Sequence, residues 1–323
     1  HYIAVADKDC ETDFFYADYL LQAGKRDESL AKAKEIESTC GGDVFPKVYK
    51  LYATIYFRTG DSLNAKDYMA KYVSKANPLK IEAIDYANYA AILGKFSDME
   101  TEAEANMIKG IEKDTSTINK LDYTKQMADI FAKAKNYCSQ LKWLNKVPSM
   151  KTSLTATDYY YWGDAATKCA NSISDTALKT SGFLKADSIY IQYIAKYPDQ
   201  PQGYTFRAIA AKLFDADTSK GTAIVAIDEY TTFLMKDTAK NKNRVIANYG
   251  YKIYHYVKRK DFQKVLDAAN SILALDPVNA YGIQARDLAN KIINKSNTPP
   301  KTPSKPVKNT RTPQGSQPTP GGG

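Results

Sequence analysis

Histidine is almost missing from this chain. Only His1 and His255 occur in 323 residues, which removes the side chain most often used as metal ligand or general base. Tryptophan is equally rare, with two residues. No apolar run reaches the length of a membrane-spanning helix. The patterns G-x-x-x-x-G-K-[ST], G-x-G-x-x-G, H-E-x-x-H and G-x-S-x-G are absent. The four cysteines contain no C-x-x-C, and His255 is far along the chain from each of them. Zinc binding and a cysteine nucleophile with a histidine base are therefore disfavoured. Acid pairs such as Glu102/Glu104 and Asp158/Asp164 stand at helix-surface spacing. They read as solvated faces rather than a carboxylate dyad. No catalytic residue, metal ligand or cofactor site is expected.

What is present is ordinary in bulk and uneven in detail. The apolar fraction is 44% and the charged fraction 25%, the balance of a globular protein. Length alone suggests two domains. Tyrosine is abundant, at 25 residues. The net charge is +9, of which Lys301, Lys305, Lys308 and Arg311 supply +4 with no acid among residues 296–323. That segment also holds seven of the 13 prolines and ends in three glycines. It cannot bury enough surface to offset its ordering entropy and reads as a disordered, basic, Pro-rich tail. At the other end, Tyr2–Ala6 reads as the last turns of an upstream helix, so residues 1–10 are expected to be a helix end or linker of a processed form or fragment.

A repeat organises the rest. The phrase Ala53, Tyr56, Gly60, Ala65 recurs as Ala17, Leu20, Gly24, Ser29 and as Ala87, Ala90, Gly94, Met99. Further copies are Ala128, Phe131, Lys135, Gln140 and Ile253, Tyr256, Lys260, Val265. Two longer units centre on Gly163 and Ala208. Anchors at 17, 53, 87, 128, 163, 208 and 253 are spaced by 36, 34, 41, 35, 45 and 45 residues. Apolar stripes have helical period, as in Tyr49, Tyr52, Ala53, Tyr56 and Phe57, and no period-2 stretch competes. Gly24, Gly60 and Gly94 stand where a helix should end in a left-handed turn.

With two amphipathic helices per unit of about 34 residues, the chain resembles the tetratricopeptide-repeat family over about residues 11–277. The family's small residue in the first helix matches Ala17, Ala53, Ala87, Ala128, Gly163 and Ala208. Its second-helix aromatic matches Phe96, Tyr137, Phe183 and Phe262, and its terminal proline matches Pro198 and Pro277. The resemblance implies an all-α superhelix, a solenoid of about seven helical hairpins over residues 11–295. A capping helix is expected at 279–293, packing through Tyr281, Ile283, Leu288 and Ile292. Insertions between helices are expected near 168–185 and 212–222. Most tyrosines fall at packing positions.

In a helical hairpin the start of the first helix lies beside the end of the second. Cys10 and Cys40 take those places in the first unit. Cys138 and Cys169 fall at one edge of the solenoid in consecutive units. Both pairs suit disulfide geometry, the alternative being four unrelated buried thiols. Paired cysteines imply an oxidising compartment, here a periplasmic or outer-membrane-associated place in a bacterial envelope.

First helices of this family line a concave groove. In this register the groove positions include Phe14, Asp18, Lys50, Thr54, Asn88, Lys125, Asp129, Tyr160, Asp164, Lys212 and Tyr254. Their signs are mixed. The family's carboxylate clamp is not reproduced, because Lys50 is followed by Thr54 where the clamp requires Asn. The reading is a non-enzymatic scaffold that binds a protein or peptide partner, within an envelope complex. A nucleic-acid-binding solenoid and an accessory module of a carbohydrate-handling or secretion and assembly complex are the alternatives. Nucleic acid is disfavoured by Asp18, Asp129 and Asp164 among the groove lysines.

Overall fold

The computed structural model describes residues 9–218 and 221–296, and over them it is all-α with no strand. The described residues form two units, which divide between Thr238 and Ala239.

The first unit is a series of helical hairpins. They are α1 (Cys10–Gln22) with α2 (Arg26–Cys40), α3 (Lys47–Thr59) with α4 (Ser62–Lys75), and α5 (Ala83–Leu93) with α6 (Glu100–Lys113). Next come α7 (Thr117–Lys133) with α8 (Tyr137–Leu144), then a single turn α9 (Val147–Met150). The unit closes with α10 (Ala156–Ser172) against α11 (Thr176–Lys196) and α12 (Pro201–Phe214) against α13 (Thr222–Leu234). Each second helix also packs on the following hairpin, so the series stacks in chain order. The second unit holds α14 (Thr238–Lys258), which begins at the unit boundary, α15 (Phe262–Leu275) and α16 (Ala280–Ser296).

The turns follow from local chemistry. Gly24, Gly60, Lys135 and Lys260 are all left-handed, at φ of 80°, 85°, 58° and 57°. The next residue in each case donates its N–H to the carbonyl five places back: Leu20, Tyr56, Phe131 and Tyr256. This is the pattern that closes a helix through a left-handed residue. Asp61, Asn136 and Asp261 then cap α4, α8 and α15 with their side chains. Gly94 departs from expectation, with φ of −64°. Its need for glycine is steric, since a Cβ there would stand 2.7 Å from the Ile130 side chain.

The small residues of the first helices are buried as the repeat requires. Tyrosine serves packing: Tyr68 stacks on Tyr52 at 4.7 Å and on Tyr56 at 5.6 Å. Cys10 is bonded to Cys40 and Cys138 to Cys169, with Cα separations of 6.2 and 4.6 Å.

Two expectations change. The segment 168–185 is no loop insertion: it lengthens α10 and α11, leaving only residues 173–175 between them. The last helix spans 280–296 and packs through Ala285 and Ala289 against Ile272 and Val265, while Tyr281 and Leu288 are exposed. Small residues let α16 approach closely, so Tyr281 and Leu288 turn outward while Ile293 still packs on the cluster. The linker expected at residues 1–10 and the Pro-rich tail expected at 296–323 lie outside the described residues, apart from residues 9, 10 and 296.

Candidate functional site

Successive first helices meet along the predicted groove positions. Lys50 on α3 lies 2.5 Å from Asp85 on α5 and 3.3 Å from Glu82. Lys125 on α7 lies 2.8 Å from Asp158 on α10. Tyr160 on α10 packs on Phe206 of α12, ring centroids 4.7 Å apart. Asp85 and Asp158 are each the third residue of a first helix and complete a capping box with Glu82 and Thr155. Burial alone would raise the Asp158 carboxyl, but hydrogen bonds from Lys125, Lys151 and Thr155 hold it well below the usual carboxylate range. Burial likewise works against the Lys50 ammonium, and Asp85 and Glu82 reverse that and raise it.

The remaining positions divide. Asn88 is exposed on α5. Asp18 accepts from Gln22 at 2.6 Å, and Asp164 pairs with Lys168 at 2.7 Å. Thr54 donates back to the Lys50 carbonyl. Burial pushes the Lys212 amine down. Tyr254, in the second unit, is exposed beneath the Lys258 ammonium. Phe14 lies in the core against Phe45 instead of lining the groove, and its neighbour Phe15 is exposed.

A cleft opens between α7, α8, α9 and α10. Lys125 and Asp129 stand on its α7 side, and Leu144, Val147 and Pro148 form an apolar wall. Pro148 explains the space: it has no N–H for the Leu144 carbonyl, so α8 stops and α9 starts anew. Trp162 and Tyr161 face it from α10. Asp129 makes no hydrogen bond or ion pair among the described residues, and burial pushes its carboxyl up against the pull of Lys133 and Lys125.

No protein-family model and no curated protein matches this sequence. Solved structures do. The C-terminal part of a TPR repeat-containing protein from Cytophaga hutchinsonii is 25% identical, with 84% of this chain and 98% of that one covered at a TM-score of 0.52. The chain has the tetratricopeptide-repeat (TPR) fold. It is also similar to a signal transduction ATPase with a tetratricopeptide repeat sensor from Pyrococcus horikoshii, at 14% identity, 91% and 44% coverage and TM-score 0.40. The TPR2AB domain of yeast Sti1 in complex with pHSP90 matches at 16% identity, 90% and 98% coverage and TM-score 0.33.

The sequence singles out Lys50 and Lys125 as expected groove positions but not their acidic partners. Asp158, read as a solvated acid, is buried. Glu102 and Glu104, read the same way, accept from the Tyr89 hydroxyl and the Trp143 indole. Gln140, Tyr161 and Trp162 were missed as cleft residues. Gln140 carried a readable signal, because it is the one amide at a repeat position that otherwise holds Ser29, Ala65, Met99 and Val265. No group of residues suited to holding a metal ion occurs among the described residues.

Proposed function

We propose that this TPR-fold chain is a non-enzymatic scaffold that binds an extended segment or helix of another protein across its first helices. The carrying observation is that consecutive first helices meet at the groove positions, through Lys50–Asp85, Lys125–Asp158 and Tyr160–Phe206. These contacts prealign a surface on which Asn88, Asp129 and Tyr161 remain exposed. A preformed face lowers the ordering cost of recognition. Lys50 and Lys125 are engaged with acids, which leaves phosphate neutralisation by the groove without support. The two disulfides support an oxidising site of residence, the bacterial periplasm or outer-membrane surface, within an envelope complex. No described helix is long and apolar enough to cross a membrane.

The test is groove-directed. A partner purified on the chain from an envelope extract should lose at least tenfold in affinity to an Asn88→Arg/Asp129→Arg variant. It should bind a variant altered at Lys34 and Lys109, on second helices, as well as it binds wild type. Equal binding to all variants overturns the groove reading.

A further inference from the structure

Gln140 occupies a position that four other repeats fill with small or apolar residues. It is the fourth residue after the cap of α8, where α2, α4, α6 and α15 carry Ser29, Ala65, Ala103 and Val265. All four are fully buried, and Ser29 satisfies its hydroxyl on the Ala17 carbonyl at 2.8 Å. Gln140 is 5% exposed, and its Oε1 has no hydrogen-bond partner. An acceptor left so is costly. It lines the cleft behind the α8–α9 break.

The other polar groups there sort by whether they are occupied. Lys125 is held by Asp158, and the Trp162 indole N–H donates to Asn145 Oδ1 at 2.8 Å. Asp129 is unpaired. The free capacity of Gln140 and Asp129 thus includes two acceptors, one buried and one at the mouth. The same cleft is lined by the apolar surfaces of Leu144, Val147 and Leu154 and by Trp162. A complementary group brings several donors, positive charge, a flat face and an aliphatic stem. Guanidinium has five N–H donors in a fixed fork and stacks on aromatic rings.

We propose that this cleft is a guanidinium site, its ligand's head donating to Gln140 Oε1 and Asp129 and its stem lying on Leu144, Val147 and Trp162. On the partner reading above, on which the source rests, the ligand is an arginine side chain of the bound polypeptide.

The experiment titrates N-acetyl-arginine methylamide into the full ¹⁵N-labelled chain. It follows the Trp162 indole and Gln140 carboxamide resonances. Saturable displacement of both is expected, with affinity at least tenfold weaker in Gln140→Ala and in Asp129→Asn. Gln140→Ala restores the residue of Ala65 and Ala103, so the hairpin is expected to fold. The norleucine counterpart, which keeps the stem and lacks the cation, should bind at least tenfold more weakly. Absence of saturation, unchanged affinity in Gln140→Ala, or equal binding of the norleucine compound overturns the site. The two readings fail separately. If the arginine compound fills the cleft and no polypeptide binds the groove, the guanidinium site stands with a free ligand and the scaffold reading falls. If a polypeptide binds but the arginine compound does not, the site falls alone.

Discussion

Lys125 and Asp158, 33 residues apart, meet at 2.8 Å and tie the first helix of one hairpin to the first helix of the next. Lys50 and Asp85 repeat the tie two hairpins earlier. In both, the acid is also the capping-box residue of its helix. One carboxylate therefore sets a helix start and the spacing between hairpins.

Asp158→Asn should reveal that double role. Asp158 is buried and accepts from Lys125, Lys151 and both the backbone and hydroxyl of Thr155. Loss of the charge should cost about 2–3 kcal/mol, read by denaturant unfolding at neutral pH. The native carboxyl lies below its unfolded value, so its contribution is complete above about pH 4 and is lost as pH falls through the lowered native value. The difference between wild type and variant should be constant from about pH 7 to 5 and narrow below about pH 4. A difference that widens on acidification contradicts the assignment.

Gly163→Ala tests packing against repeat consensus. Alanine is what Ala17, Ala53, Ala87, Ala128 and Ala208 supply at this position. Yet a Cβ on Gly163 would lie 2.5 Å from Tyr190 Cε1. The variant should lose about 1–3 kcal/mol despite the better helix propensity of alanine, measured as a lower thermal midpoint. A stabilised variant would show that Tyr190 moves aside freely.

Lys260→Gly should act in the opposite sense. Lys260 holds a left-handed φ of 57° in the turn where Gly24 and Gly60 do the same elsewhere. Removing its Cβ should stabilise by roughly 0.5–1 kcal/mol, visible as a raised unfolding midpoint. Lys135→Gly should behave alike, and Gly60→Ala should lose a similar amount.

The two disulfides should differ from solvated thiols in a direct assay. Non-reducing mass spectrometry of native material should find Cys10 joined to Cys40 and Cys138 to Cys169. Replacing Cys138 and Cys169 by serine should cost about 2–4 kcal/mol, since each bridge closes a loop of some thirty residues. Four free thiols in native material would remove the support for an extracytoplasmic location.

Much of this molecule was legible in one dimension. The period of small residues, the turn positions and the cysteine spacing are local or periodic, so helical geometry converts them into hairpins without further information. Lys135 and Lys260 show how far that goes: aligned with Gly24 and Gly60 by spacing, they adopt the same backbone. Gly94 shows where it stops, because its requirement comes from Ile130 on a later hairpin. Asp158 looked like a surface acid, and Asp85 stood out in no way, for the same reason. Their lysines arrive from a neighbouring hairpin, and no helical periodicity encodes that approach.

The amino-acid order was enough for the hairpin architecture and the pairing of Cys10 with Cys40 and Cys138 with Cys169, since these depend on spacing along single helices and between adjacent ones. Packing of α7, α8 and α10 decided the cleft between them. There the break at Pro148 leaves a space, Lys125 turns to Asp158, and Gln140 is buried with an acceptor unanswered. Such a site is a sum of contacts from helices tens of residues apart, and burial, which gives each of those side chains its energy, exists only once the chain has stacked.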